Sequence, residues 1–284
     1  MIERLAARFG PWQRLAPFGL LALLSLAVVL PPVAPTVELA NPDRAGAAAF
    51  ERAVTALPGD ARVLVGFDPD FGTYPEISYA TRAALDALLR GGASLAFVSY
   101  TPEGRALASA ELERLRRGGI AADRLLDLGY RSGAEAALVG SVTSVVPEAA
   151  TGRLADAARA AGGGIAAFRL TLVVGGNDLD PRTWIEQIGT RLPKVPILAI
   201  APTFLRPELE PYLRSGQLTA LLGTLRDGVA FAAGEGTPRA GTASDRPPSA
   251  LAMLIGMLIG LGVLLESSGG RLLSVLRGIG RGRG

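Results

Sequence analysis

Two carboxylates separated by a proline, Asp68-Pro69-Asp70, follow a short apolar run and are the side chains in this sequence best suited to polar chemistry. Oxygen ligands of this kind take hard cations, so Asp68 and Asp70 form a candidate site for Mg²⁺ or Ca²⁺. With such a cation they would serve a hydrolase or transferase. The same residues also form turns, because a short Asp side chain bonds its own backbone two residues on. A second candidate is Gly129-Tyr130-Arg131-Ser132-Gly133. There, backbone amides and the Arg131 guanidinium at a helix start would hold an anion. The segment lacks the Gly-Lys-Ser/Thr ending of a phosphate loop and the spacing of the dinucleotide fingerprint, so a plain strand-to-helix turn explains it too. Thr101 in Tyr100-Thr101-Pro102, and Asn177 with Asp178 in Gly175-Gly176-Asn177-Asp178, complete the candidate ligand-binding residues.

The chain contains no histidine and no cysteine. That removes Ser-His-Asp and Cys-His catalysis, imidazole acid–base chemistry, the usual zinc sites, disulfides and thiol redox. Lys194 is the sole lysine, in the loop context Leu192-Pro193-Lys194-Val195-Pro196, with no partner residues for Schiff-base chemistry. Any reaction falls to carboxylates, hydroxyls, arginine or a hard metal ion. No residue qualifies as catalytic, and the reading leans away from an enzyme.

The elements that must position these residues alternate in kind. Apolar, β-branched runs at Arg62–Phe67, Ser94–Tyr100, Arg124–Leu128, Phe168–Val174 and Ile197–Ile200, with Ala220–Leu222 as a sixth, read as strands covered on both faces. Between them lie helical patterns with start and stop signals. Ile77–Leu89 stops at Gly91-Gly92, and Thr101-Pro102 opens a helix that Gly118-Gly119 ends. Asp180-Pro181 opens the helix carrying Trp184, with Asp180 as its cap, and Pro207 and Gly216 bracket the helix carrying Tyr212. Trp184 and Tyr212 read as packing residues. Asn41–Leu57 reads as a leading helix, and Pro147–Gly164 as a loop with a short helix. The alternation predicts one three-layer α/β domain, flavodoxin-like or Rossmann-like, with a mostly parallel sheet joined by right-handed crossovers. Ligands of such sheets favour the crevice beyond the carboxyl ends of the strands, where all the candidates fall.

Two apolar runs bracket this domain, uncharged over Leu15–Val33 and Ala250–Leu265, the second drawn as a span over 249–266 by taking in Ser249 and Glu266. A bilayer core of about 30 Å takes roughly 17 to 25 apolar residues as helix, so both read as transmembrane spans. A cleavable signal peptide is the alternative for the first run, and a buried core helix for the second. Gly256, Gly260 and Gly262 suit close helix contact in lipid. Arg4, Arg8 and Arg14 precede the first run and Arg271, Arg277, Arg281 and Arg283 follow the second. The excess of arginine marks the cytoplasmic side. Residues 1–14 and 267–284 are thus expected in the cytoplasm of a plasma-membrane protein, with the domain at 36–233 outside and 234–248 as its flexible tether. Setting these seven arginines, Glu3 and Glu266 aside from 29 basic and 26 acidic residues leaves 22 against 24. A nearly neutral domain is no nucleic-acid binder, which needs a concentrated basic face. The expected partners are the bilayer and another membrane protein or a second copy.

The run from Tyr212 to Gly228, Tyr-Leu-Arg-Ser-Gly-Gln-Leu-Thr-Ala-Leu-Leu-Gly-Thr-Leu-Arg-Asp-Gly, resembles a motif of an uncharacterised prokaryotic family of two-span membrane proteins. Val65-Gly66-Phe67-Asp68-Pro69-Asp70 with Pro75-Glu76, and Leu128 to Glu135, resemble its other blocks. The chain departs from it in Val229-Ala230-Phe231, where that family has an aromatic and acidic ending, and in a shorter middle loop. The resemblance implies the span–domain–span plan and carries no activity. Together these readings lead to a membrane-anchored, extracytoplasmic, non-enzymatic binding, accessory or scaffold subunit of a membrane assembly.

Overall fold

The computed structural model describes residues 44–176 and 179–234. The described residues open with α1 (Arg44–Thr55), then alternate β1 (Arg62–Asp68), α2 (Tyr74–Arg90), β2 (Ser94–Ser99), α3 (Pro102–Arg117) and β3 (Leu125–Tyr130). Two short helices follow, α4 (Ala134–Gly140) and α5 (Arg153–Ala160), before β4 (Leu170–Gly175). The remainder is α6 (Pro181–Trp184) with a π-helical continuation over Ile185–Gly189, β5 (Ile197–Ile200), α7 (Arg206–Ser215), β6 (Ala220–Leu222) and α8 (Leu225–Gly234).

All six strands are parallel, in the order β3-β2-β1-β4-β5-β6. Sequence periodicity leaves the order open. The observed one is the 3-2-1-4-5-6 arrangement of Rossmann-type sheets rather than the 2-1-3-4-5 of flavodoxin. Every residue of β4, β5 and β6 is buried, as parallel strands sheathed on both faces require.

Alternating side chains along the strands divide the core in two. Val63, Val65 and Phe67 of β1 pack with Phe50 of α1, Leu85 and Leu88 of α2, Leu112 of α3 and Phe231 of α8. On the other face, Leu64, Val98 and Val173 pack with Leu138 of α4, Ala155 of α5, Trp184 of α6 and Leu209 of α7. Trp184 is fully buried and meets the Tyr100 ring edge-on at 5.7 Å, the packing role expected of it.

The expected boundaries hold within two residues at most ends. β3 runs on to Tyr130 because a bulge absorbs Leu128: Phe97 pairs with Asp127 but Val98 with Gly129. β4 begins at Leu170 rather than Phe168 because a 3₁₀ turn occupies Ile165–Ala167. Thr101 and Asp180 cap α3 and α6, accepting from Gly104 N at 3.1 Å and Thr183 N at 2.9 Å. No helix among the described residues is long and apolar enough to cross a membrane. Both apolar runs, 15–33 and 249–266, and both tails lie outside the described residues.

Candidate functional site

β1 and β4 are neighbours whose onward connections part company. From β1 the chain turns to α2 in the first core, and from β4 it turns to α6 in the second. At such a divergence the carboxyl edge of an open sheet forms a crevice. Asp68 ends β1 there, paired in register with Gly175 of β4.

Asp68 is fully buried. Its Oδ1 accepts from the Tyr100 amide at 2.6 Å, the Thr101 amide at 2.9 Å and the Thr101 hydroxyl at 3.0 Å, while Oδ2 has no hydrogen-bond partner. Thr101 Oγ1 in turn accepts from Gly104 N, so one threonine ties the carboxylate to the first turn of α3. Gly104 makes this approach possible. A Cβ there would stand 2.4 Å from the Phe67 carbonyl and 2.7 Å from Asp68 Cα. Burial pushes the Asp68 carboxyl up to about 7, against the lowering effect of the bonds from Tyr100 and Thr101. Near neutrality the residue therefore divides between acid and carboxylate, with Oδ2 as the free oxygen to carry the proton.

Two residues on, Asp70 is in the opposite condition. Its Oδ1 accepts from Gly72 N at 2.7 Å and Thr73 N at 2.8 Å, and its Oδ2 from Thr73 Oγ1 at 2.6 Å. Slight burial would raise its pKa, but the Thr73 and Gly72 bonds outweigh that and hold it below the ordinary carboxylate range. This is the geometry of a turn-forming aspartate, with both oxygens engaged locally. Among the described residues no group of three or more acidic side chains gathers as a cation site.

The loops around the crevice are tied to one another. Glu76 Oε1 on α2 accepts from Thr203 N at 2.8 Å and Thr203 Oγ1 at 2.6 Å, joining the connections after β1 and β5. A side chain at Gly176 would come within 2.9 Å of Thr73 Oγ1 and 2.8 Å of Pro202 Cγ, so the β4 connection is closely held between them. Tyr100 donates from its hydroxyl to Ser141 Oγ at 2.7 Å, which anchors the floor of the site to the end of α4.

Of the residues that sequence singles out, Asp68 and Thr101 meet directly, and Asp70 lies in the adjoining turn. Tyr130 ends β3, and Arg131 and Ser132 follow it, two strands from β1. The Arg131 amide extends the ladder by donating to Ser99 O at 2.8 Å, and its guanidinium donates to Val145 O at 2.7 Å. Tyr130 and Ser132 are exposed. α4 has only seven residues and no side-chain cap, so Arg131 acts here as a strap on the loop beyond α4. Asn177 and Asp178 lie outside the described residues.

Sequence reasoning passes over Glu76–Thr203 and Tyr100–Ser141, because nothing local to these residues announces a partner so far along the chain. It also misses Glu111, buried between α2 and α3, which accepts from Tyr74 Oη at 2.8 Å, Arg82 Nε at 2.8 Å and Arg114 Nε at 2.6 Å. The acidic residue on an otherwise amphipathic helix was the only signal. Comparison with protein-family models, with characterised proteins and with solved structures finds no match for the chain.

Proposed function

We infer that this protein is a membrane-anchored, extracytoplasmic binding module, serving as an accessory or scaffold subunit of a membrane assembly. Its ligand is held in the crevice at the carboxyl ends of β1 and β4. The observation that carries this reading is the buried Asp68, with one oxygen saturated and the other unpaired, at the point where this sheet order opens. A buried polar atom without a partner costs free energy, and a ligand group bonded to Oδ2 removes that cost. The lack of histidine and cysteine supports binding rather than acid–base or nucleophilic turnover. The apolar runs at 15–33 and 249–266 with their flanking arginines support the anchored topology.

The test is a thermal-shift screen of the full-length protein in detergent against small polar solutes, Mg²⁺ and Ca²⁺. A ligand at about 100 times its Kd adds about 2.7 kcal/mol. A solute whose stabilisation disappears in Asp68→Asn and Thr101→Val but persists in Asp70→Asn supports the crevice. Stabilisation by Mg²⁺ or Ca²⁺ that needs both Asp68 and Asp70 would instead favour a cation-dependent hydrolase or transferase. Solute binding unaffected by Asp68→Asn would refute the site.

A further inference from the structure

Two polar atoms near the carboxyl end of β1 are buried without a partner, and they are of opposite kind: the acceptor Asp68 Oδ2 and the donor Trp184 Nε1. They belong to the same face of the sheet. Val63, Val65 and Phe67 enter the first core and Leu64 the second, so by alternation positions 66 and 68 look toward the second. Trp184 packs there. A Cβ at Gly66 would stand 2.8 Å from its Cε2, the carbon that bears Nε1, and 2.2 Å from Cζ2. Only glycine at 66 leaves room for this ring two residues below Asp68.

Positions 66 and 68 are about 6.6 Å apart along the strand. Two hydrogen bonds of about 2.8 Å placed end to end span a similar length, so the scale of the gap is that of one small polar group bonded to both side chains. The neighbours supply no such group. Asp68 Oδ1 already takes three bonds, and the Tyr100 hydroxyl is spent on Ser141. Thr171 Oγ1 is also unpartnered, but it pairs in register with Leu64, two residues farther from the carboxyl edge than Gly66.

We propose that the ligand of the crevice is a small neutral alcohol, one hydroxyl of which accepts from Trp184 Nε1 and donates to Asp68 Oδ2. The proposal rests on the crevice reading above and adds to it a ligand class and Trp184 as a second binding residue.

The donor–acceptor inventory selects the hydroxyl. An indole N–H only donates and a carboxylate only accepts, so the bridging group must do both. An ammonium group has no acceptor for the indole. A carboxylate or phosphate has no donor for Oδ2, and its charge would go unmatched: Arg105, Arg182 and Arg206, in the helices that follow β2, β4 and β5, are bonded to Asp127, Glu186 and Asp227. A carboxamide donates and accepts through two separate atoms, whereas a hydroxyl does so through one, and both protein atoms are closed off from solvent.

The chain has two tryptophans, Trp12 and Trp184, so ¹⁵N-tryptophan labelling of the full-length protein in detergent gives two indole signals, assigned with Trp12→Phe. The probes share a three-carbon frame and differ in their polar groups: glycerol, malonamide, 1,3-diaminopropane and malonate. At pH 8, above the Asp68 value of about 7, glycerol is expected to move the Trp184 indole proton downfield in a saturable titration and to leave Trp12 in place. The other three are expected to move neither. Asp68→Asn, which sets a second donor against the indole, should weaken the glycerol response several-fold, and Thr171→Val should preserve it. A shift with another probe and none with glycerol would overturn the alcohol and leave the crevice standing. So would a Trp184 signal indifferent to all four while the thermal-shift screen finds an Asp68-dependent solute. A glycerol response lost in Thr171→Val but kept in Asp68→Asn would assign the indole to Thr171 and overturn the proposal. If no solute depends on Asp68 in either experiment, both readings fall.

Discussion

Replacing Asp68 by asparagine should flatten the pH dependence of stability, because this carboxyl titrates far from its unfolded range. The shift from 3.8 to about 7 is roughly three pH units, and at 1.36 kcal/mol per unit it corresponds to about 4 kcal/mol. The sign follows from which state holds the proton. Below pH 3.8 both folded and unfolded chains carry the acid form, and the stabilising contribution is complete. Between there and about pH 7 the unfolded carboxyl ionises while the folded one does not, so the contribution falls steadily. Above pH 7 the folded protein carries the full cost of a buried charge. Asparagine keeps an acceptor for Tyr100 and Thr101 and never ionises. The assay is denaturant unfolding of full-length wild type and Asp68→Asn in detergent at pH 4.5, 6 and 7.5, read by tryptophan fluorescence. The stability difference, variant minus wild type, should grow by about 1.4 kcal/mol per unit between pH 4.5 and 6 and then level off as pH passes about 7, and the other acids cancel in the subtraction. Parallel profiles would mean that Asp68 ionises at little cost, and the argument built on its unpaired oxygen would fail.

Other perturbations probe the surrounding structure. Gly104→Ala forces a Cβ against the Phe67 carbonyl and should cost about 2–3 kcal/mol in unfolding experiments; a neutral result would mean that α3 lies farther from β1. Glu111→Gln removes the charge shared by Arg82 and Arg114 and should cost about 1–3 kcal/mol, with a smaller loss in high salt, since both arginines are partly exposed. In intact cells, a membrane-impermeant maleimide should label Asp60→Cys and leave Ser274→Cys unmodified; the reverse pattern would invert the topology.

The layers of this fold are legible in sequence because sandwiched parallel strands need unbroken apolar runs. Val63–Phe67, Leu170–Val174 and Ile197–Ile200 carry no competing helical period. The caps Thr101 and Asp180 are equally plain, since a cap and its partner sit three residues apart. Strand order is not legible, because it depends on which face each crossover takes. Asp68 stands out in sequence for its nearness to Asp70, whereas its actual partners are 32 and 33 residues away on another strand's exit. The extra residue that widens Ile185–Gly189 into a π-helix leaves no mark on composition.

The central strand has a lasting consequence for how the chain is made. β1 forms one edge with β2 at once, but its other edge waits for β4; Arg62 Nε reaches its acceptor, the Ala167 carbonyl, 105 residues downstream. At synthesis rates of about 5–20 residues per second, the strand that carries Asp68 stays open for roughly 5–20 s. During that interval the nascent polypeptide presents an unsatisfied hydrogen-bonding template, the kind of surface that recruits chaperones or mispairs. The crevice comes into being only when this gap closes, so a chain truncated before β4 has half a sheet and no binding site.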